Sequence, residues 1–354
     1  MTMFTRSLCG LMLVVVVAST LFAQEIAGRL PTVESLPDRV QARIEVRTRA
    51  AGNAHNAGRF GMQYFMFITK RWPNAASTPI TVAFLGGDRQ LRQRIQDTVT
   101  EWSQAGTLRF DFIDPASHTF REWSRSDTSF KANIRVAFDG SEEAGYWSMI
   151  GVDSSDPTII KPGEASLMLQ GFTTLLPQDW QATVRHEFGH ALGLLHEHQI
   201  PVGGCDQDFR WEDDTGYVPT QDSYGQYITD AQGRRPGIYT LLAGAPNFWQ
   251  KDKVNSNMRQ LATDSHNKDF GAFDAKSIMK YYFDPSFFRD GTAAHCYSDE
   301  NLTISDEDKQ GIAKWYPPFG SQELSNLLKL QQDTMRQLAP VHNMQQVQTL
   351  QSIK

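Results

Sequence analysis

The chain has 354 residues, of which 40% are hydrophobic and 21% charged, and its formal net charge is -6. This length and composition are typical of a globular protein with a sizeable core, and they exclude a disordered or fibrous chain. Lysine and arginine form no block of the kind that binds nucleic acid or anionic lipid, so we expect neither partner.

The N-terminus has the pattern of a secretory signal peptide over residues 1–23. Arg6 is its only charged residue, an apolar run follows at residues 11–18, and small residues end near Ala23. The run is short for a transmembrane span, although an uncleaved anchor would need only a modest extension. We therefore expect a secreted, extracellular protein with no membrane contact after signal removal. Residues 24–69 have weak periodicity, and we interpret them as a pro-segment or N-terminal extension.

Beyond residue 70 the hydrophobic pattern sharpens. Apolar residues at helical spacing predict an amphipathic helix at residues 89–106 and a second helix at about 177–192. Alternation and short apolar runs predict strands at residues 79–86, 108–113, 132–139 and 165–172. The order of these elements predicts an α+β fold with a mixed sheet.

The C-terminal half is less regular. Residues 193–318 are rich in glycine, aspartate, asparagine, proline and aromatic residues, which predicts loops and one helix near residues 305–315. Ser305 and Asp308 match a weak form of the capping box that begins such a helix. The glutamine-rich tail, residues 321–354, is expected to be helical or disordered, and a partner-binding helix is the alternative.

Four of the nine histidines lie in the stretch RHEFGHALGLLHEH, at residues 185–198. His186 and His190 are one helical turn apart, so their rings can share a metal ion. Gly193 can adopt a positive φ and end the helix, which lets His196 return as a third ligand. The string is H-E-x-x-H-x-x-G-x-x-H, the metzincin zinc signature.

Three histidine nitrogens and an open fourth position are typical of one catalytic Zn²⁺, because structural zinc sites have four protein ligands. Zinc would lower the pKa of its bound water to about 7. Glu187 is suited to accept that proton and pass it to the leaving amine. The signature also predicts a methionine turn, which Met279 in SIMKYY supplies. A methionine in an ordinary buried strand end is the alternative.

The stretches HEFGHALGLLHEHQ and SIMKYY resemble the astacin family of zinc endopeptidases, and a weaker resemblance extends over about residues 71–318. The resemblance implies a two-lobed zincin fold in a catalytic domain at residues 70–320. Its upper lobe would hold a twisted mixed sheet and two helices above an irregular C-terminal lobe, with zinc in the cleft. It also implies that Glu187 is the general base and that the zinc ligands are His186, His190 and His196.

Further roles follow from the same resemblance. Tyr281 matches a tyrosine that stabilises the tetrahedral intermediate, with an aromatic residue in a packed turn as the alternative. Glu197 matches a glutamate that anchors the new N-terminus after maturation, with a solvated glutamate as the alternative. The strand of Leu167, Met168 and Leu169 would be the sheet edge that pairs with an extended peptide.

The sequence departs from the astacin pattern in its cysteines and in its latency motif. Outside the signal peptide only Cys205 and Cys296 remain, which predicts one disulfide in an oxidising compartment, or two free thiols otherwise. The Phe-x-Gly-Asp motif is missing from residues 24–69, which contain no cysteine and only one aspartate, Asp38. A cysteine switch is therefore excluded, and no carboxylate of this stretch is assigned to the metal.

We expect a secreted zinc endopeptidase that hydrolyses peptide bonds in protein or peptide substrates, through a zinc-bound water activated by Glu187. A non-catalytic binding or matrix module and a zinc hydrolase of non-peptide amides are the alternatives. The sequon at Asn301 matters only if the source glycosylates exported proteins. The sequence makes no prediction of oligomeric state.

Overall fold

The structure is a computed structural model that describes residues 33–52, 66–141, 144–261, 268–269 and 271–338. The predicted signal peptide at residues 1–23 lies outside the described residues. The described helices are α1, Asp38–Gly52; α2, Arg89–Ala105; α3, Trp180–Ala191; α4, Cys205–Asp208; α5, Ile238–Ala243; α6, Lys251–Met258; α7, Asp306–Trp315; and α8, Gln322–Leu338. The described strands are β1, Met66–Phe67; β2, Ile80–Leu85; β3, Phe110–Asp111; β4, Ile134–Ala137; β5, Tyr146–Ser148; β6, Leu167–Leu169; β7, Thr220–Gln221; β8, Tyr227–Ile228; and β9, Lys268–Asp269.

The chain divides into two compact units. Among the described residues, the smaller unit comprises Val33 and Trp211–Lys251, and the larger one comprises the remainder. In the smaller unit β7 and β8 form an antiparallel hairpin. Asp230 orders the turn that follows, because its carboxylate accepts hydrogen bonds from the backbone N–H groups of Val218, Gln232 and Arg234.

The larger unit is built on a mixed sheet. Within the described residues five strands form it, in the order β3-β2-β4-β6-β5. β3, β2, β4 and β6 are parallel to their neighbours, whereas β5 runs antiparallel to β6. This sheet, together with α2 and α3, confirms the predicted α+β class.

The edge of this sheet is not the strand that we predicted. Leu167, Met168 and Leu169 form β6, which pairs with β4 on one side and with β5 on the other. The edge strand on this side of the sheet is β5, Tyr146–Ser148, in the stretch GYWSMIGVD. Periodicity can indicate a strand, but it does not report which strands pair, so it could not identify β5 as the edge.

Helices α2 and α3 pack on one face of the sheet and share its main core, which includes Phe84, Trp102, Ile134 and Phe188. α2 begins where predicted, and the Asp88 carboxylate caps it by accepting a hydrogen bond from the Leu91 N–H at 2.7 Å. The Trp102 indole of α2 donates a hydrogen bond to the Arg185 carbonyl of α3 at 3.0 Å. This bond fixes α2 to the helix that carries the histidine signature.

Helices α1, α4, α5 and α6 were not predicted. α5 has only six residues, and α1 (DRVQARIEVRTRAAG) is mostly polar. Val40 and Ile44 of α1 nevertheless pack, one helical turn apart, against Met149, Ile159 and Ile160. α7 begins at the predicted Ser305, and both hydrogen bonds of its capping box with Asp308 are present.

Two sets of contacts connect the C-terminal part of the larger unit to earlier parts of the chain. The predicted disulfide joins Cys205 and Cys296 across a sequence separation of 91. In α8 the buried Gln331 accepts a hydrogen bond from the Arg71 guanidinium and donates one to the Arg71 carbonyl. The described part of the glutamine-rich tail is therefore a helix that packs on its own chain. Among the described helices, none combines the length and the apolar character that crossing a membrane requires.

Candidate metal and catalytic site

The three histidines of the signature converge on one point. His186 and His190 lie one turn apart on α3. α3 ends at Ala191, and Gly193 just beyond it has a φ of 105° and donates a hydrogen bond from its N–H to the His190 carbonyl at 2.8 Å. The chain then turns back, and His196 joins the group. The Nε2 atom of His190 lies 3.1 Å from that of His186 and 3.0 Å from that of His196.

Backbone carbonyls orient two of these rings. The Nδ1 atom of His186 donates a hydrogen bond to the Ile278 carbonyl at 2.7 Å, and that of His190 donates to the Leu194 carbonyl at 2.8 Å. Because a carbonyl can only accept, Nδ1 carries a proton, and Nε2 is the ring nitrogen that can present a lone pair to a metal. Burial, followed by the nearby His190 ring, lowers the pKa of His196 to about 4, which keeps the His196 ring neutral at neutral pH.

Converging lone pairs at about 3 Å repel one another unless a cation lies between them. Neutral imidazole nitrogens held by hydrogen bonds to carbonyls are the usual ligands of zinc. His186, His190, His196 and Glu34 each offer one ligand atom, and these atoms lie within 4.8 Å of one another. The residues present therefore fit a zinc ion.

Glu34 is the member of this group that the sequence did not predict. Its Oε2 atom lies 3.2 Å from the Nε2 atoms of both His186 and His196, and 3.6 Å from that of His190. Residues 24–69 contain one aspartate and no cysteine, but a glutamate offers the same carboxylate. Including the three glutamates of that stretch would have made Glu34 one of four candidates.

Glu187 lies beside the histidines and is almost fully buried. Burial, and then the charge of Glu34, raises the pKa of the Glu187 carboxyl well above its ordinary value. Its Oε2 atom has no hydrogen-bond partner among the described residues. A buried carboxyl oxygen without a partner costs free energy unless a ligand completes it, so this atom is suited to a substrate or water.

Met279 lies in a turn beneath the histidines. A Cβ atom at residue 189 would overlap the Met279 sulfur, so the glycine there lets α3 approach the turn closely. The Met279 carbonyl accepts a hydrogen bond from the Glu197 N–H at 2.9 Å. The turn thus contacts both the ligand helix and the segment that follows the third histidine.

Tyr281 also faces the histidines. Its ring centroid is 4.2 Å from that of His196, and its hydroxyl donates a hydrogen bond to Glu34 Oε2 at 2.7 Å. Burial, followed by the charge of Glu34, raises its pKa well above the ordinary value, so the phenol keeps its proton. The predicted tyrosine therefore presents a hydrogen-bond donor at the point where the histidine lone pairs meet.

Glu197 is not the solvated glutamate of the alternative interpretation, since it is fully buried. Its Oε1 atom accepts a hydrogen bond from the Asp274 N–H at 2.7 Å, and its Oε2 atom has no hydrogen-bond partner among the described residues. Burial raises the pKa of this carboxyl to about 8. The site therefore contains a second buried carboxyl with an unused oxygen.

The fold and this site are similar to those of the astacin-like metzincins, a class of zinc metallopeptidase. The solved structure of myroilysin is similar to this chain, with 27% sequence identity and a TM-score of 0.51, over 71% of this chain and 98% of that one. A second structure of myroilysin has 25% identity and a TM-score of 0.44, over 82% of this chain and 100% of that one. We rest the class on the first similarity and on the site geometry.

A more distant structure is High choriolytic enzyme 1, a hatching enzyme zinc-protease from Oryzias latipes, the Medaka fish. It has 16% identity and a TM-score of 0.37, over 73% of this chain and 96% of that one. No protein-family model matches the chain, and a search of curated proteins finds no match.

Proposed function

We propose that this protein is a secreted zinc endopeptidase that is made in a latent form. One observation carries the proposal. Three imidazole Nε2 atoms converge within hydrogen-bonding distance of one another, beside a buried carboxyl, Glu187, that has an unused oxygen. This set provides both a metal site and a proton acceptor, which a non-catalytic binding module does not need.

Each residue has a distinct task in the proposed reaction. A bound zinc ion would supply Lewis acidity, which polarises a substrate carbonyl and acidifies a water molecule. His186, His190 and His196 would hold the ion, and Glu187 would accept the proton of the attacking water and deliver it to the leaving amine. The Tyr281 hydroxyl donates a hydrogen bond to the oxygen of the substrate carbonyl as negative charge develops there.

The substrate pairs with β5 in this proposal. β5 is the edge of the sheet, so its outer backbone groups can bind an extended peptide by β-augmentation. Leu36 packs against a cluster that contains Trp147 of β5. The N-terminal segment therefore lies close to the strand that a substrate would use.

Residues 24–69 act as the latency segment, and Glu34 is the residue that blocks the metal site. Its carboxylate oxygen stands among the three histidine Nε2 atoms, in the space that the attacking water needs. Helix α1 holds this segment in place, because Arg43 makes two hydrogen bonds to the Glu164 carboxylate at 2.7 and 3.1 Å. Arg47, one turn further on, pairs with Asp156 at 2.6 Å.

Secretion and maturation complete the proposal. The leader pattern at residues 1–23 directs export, and the disulfide between Cys205 and Cys296 suits an oxidising compartment. After cleavage of the N-terminal segment, the unused oxygen of Glu197 receives the new N-terminal ammonium. That cation would pair with a buried carboxyl whose pKa is otherwise raised.

The test measures zinc content and cleavage of a broad peptide library by the exported full chain, before and after limited proteolysis of its N-terminal segment. Each sample is compared with and without a chelator. We expect one zinc per chain and chelator-sensitive cleavage that appears after proteolysis. Stoichiometric zinc with no cleavage in any sample would overturn the peptidase proposal in favour of a binding module.

A further inference from the structure

The turn beneath the metal site is held by a buried carboxylate from far along the chain. Asp308, in the first turn of α7, is fully buried. Its Oδ1 atom accepts a hydrogen bond from the Ser277 hydroxyl at 2.7 Å, and its Oδ2 atom accepts one from the Ile278 N–H at 2.9 Å. The Asp308 carboxylate, which forms the capping box of α7 with Ser305, therefore also holds the methionine turn in place.

A second side chain grips the same turn. The Asn301 amide nitrogen donates hydrogen bonds to the carbonyls of Ala275 and Ser277, both at 2.9 Å. Both of its hydrogens are used in this way. Asn301 and Asp308 thus hold the turn at its carbonyl and N–H groups, from the segment that leads into α7.

What this turn presents to the metal site is the Ile278 carbonyl, which accepts the Nδ1 hydrogen bond of His186 at 2.7 Å. We infer that Asp308 and Asn301 are positioning residues for the metal ligand His186, acting through the backbone of residues 275–278. The inference rests on the proposed zinc site. By fixing Ile278, the two side chains set the orientation of the His186 ring and keep its Nε2 lone pair aimed at the metal.

The ligand His190 gives a comparison within the same site. Its Nδ1 atom donates to the Leu194 carbonyl, four residues further along the same turn, so its orientation is set locally. His186 instead depends on a carbonyl 92 residues away in the sequence. A distant acceptor can orient a ligand only if the acceptor is itself held, and Asp308 and Asn301 supply that support.

The same contacts bear on whether the sequon at Asn301 can be glycosylated. A glycan on the amide nitrogen would remove one of its two hydrogens and hence one bond to the turn. We therefore expect Asn301 to carry no glycan in the folded protein. A loss of mass when the exported protein is treated with a glycosidase would contradict this expectation.

The experiment compares the metal affinity of full-length chains by competition with a chelator, and records the absorption spectrum of their cobalt-substituted forms. We expect Asp308→Ala to weaken metal binding by about 10- to 100-fold, the usual loss when a group that supports a ligand is removed, and to alter the cobalt spectrum. Asp308→Asn should retain most of the affinity, because its amide can still accept from the Ile278 N–H and donate to the Ser277 hydroxyl. Asp306→Asn is the matched control, since that side chain is 85% exposed on the same helix turn, and its affinity should match wild type.

The thermal unfolding temperature separates positioning from general stability. A positioning role predicts that Asp308→Ala loses more stability with metal than without it, since weaker binding reduces the stabilisation that metal provides. Equal losses in both states, with unchanged metal affinity, would overturn the inference. If Asp308→Ala does not fold, Ser277→Ala can be tested in its place. This variant removes the hydrogen bond from the Ser277 hydroxyl to the Asp308 carboxylate and is expected to weaken metal binding. Failure of the wild-type chain to bind metal would instead overturn the proposed function.

Discussion

Two regions of the chain meet at the metal site, and different kinds of interaction fix their positions. The ligand region, defined as residues 186–196, carries three histidines whose spacing follows from the pitch of one helix and a glycine turn. The N-terminal region, Glu34–Gly52, brings its carboxylate to the same point through packing and ion pairs with distant residues. Local geometry can be recognised in a sequence, whereas a position set by distant contacts cannot.

The two regions also present opposite chemistry to the same space. The ligand region supplies three imidazole nitrogens and a proton acceptor, so it favours a metal ion and an attacking water. The N-terminal region supplies an anionic oxygen that occupies that space and engages the Tyr281 hydroxyl. A chain with both regions in place is therefore expected to bind metal without cleaving peptides.

The largest effect on peptide cleavage is expected from a substitution in the ligand region. Replacing Glu187 with Gln removes the proton acceptor, so cleavage by the processed enzyme should fall by about 10²- to 10⁴-fold. Zinc content should stay at one per chain, because the glutamate is not among the proposed ligands. Cleavage rates and zinc content are measured on the same samples.

An exposed glutamate provides the control for this substitution. Glu307→Gln, in the first turn of α7, should cleave like the wild type. If Glu187→Gln retained appreciable activity, the role of Glu187 as general base would be wrong, whatever the metal content. If it lost zinc as well, its carboxylate would have a structural role in the metal site.

A smaller effect on peptide cleavage is expected from a substitution in the N-terminal region. Glu34→Ala should raise the activity of the unprocessed chain by about tenfold or more, because it removes a tethered ligand that acts at an effective concentration of about millimolar. Peptide cleavage is measured before any proteolysis, and mass spectrometry verifies that the segment is intact. Glu45→Ala, at an exposed position of α1 in the same N-terminal region, serves as the matched control and should remain latent.

Either result identifies which part of the N-terminal region causes latency. Activity in unprocessed Glu34→Ala would mean that one carboxylate accounts for most of the block. Continued latency of this variant, with activity after proteolysis, would mean that the backbone near β5 blocks the substrate independently of Glu34.

The sequence was sufficient for those features that depend on short-range geometry. The helix at α2 and the positive φ of Gly193 both follow from spacing and residue type. The α+β class follows from the order of the longer elements. The convergence of His186, His190 and His196 needs one helical turn and one glycine, both of which the signature contains.

The features that escaped prediction depend on contacts between distant segments. β5 has three residues, and only its pairing with β6 identifies it as the sheet edge. α1 has few apolar residues, so its position depends on Arg43 and Arg47 meeting carboxylates more than 100 residues away. Glu34 has no neighbouring residues that mark it as special, and only the folded chain places its oxygen at the histidines.

The smallest effect should come from loosening α1 while leaving Glu34 in place. Arg43→Ala removes two hydrogen bonds to the Glu164 carboxylate, so the N-terminal region should dissociate more often and the unprocessed chain should gain a few-fold in activity. Hydrogen bonds to charged groups contribute about 1.5–3 kcal/mol, less where solvent screens them, which sets the upper limit of this gain. The paired reversal Arg43→Glu with Glu164→Arg should restore latency, and activity that persists in that double variant would show that the ion pair does not hold the segment.

The same ion pair gives a pH dependence whose sign is fixed. Burial raises the pKa of the Glu164 carboxyl, but hydrogen bonds from Arg43 and from the Lys161 backbone outweigh burial and lower the pKa to about 2, from an ordinary 4.5. A carboxyl whose pKa is lowered on docking stabilises the docked state fully above its undocked pKa, and this stabilisation is lost as the pH falls through the docked value. Proteolytic susceptibility of α1 should therefore be constant above about pH 5 and rise between pH 4.5 and 2 in the wild type. In Arg43→Ala this rise should shift towards the ordinary pKa, and an unchanged profile would mean that other groups control the docking of α1.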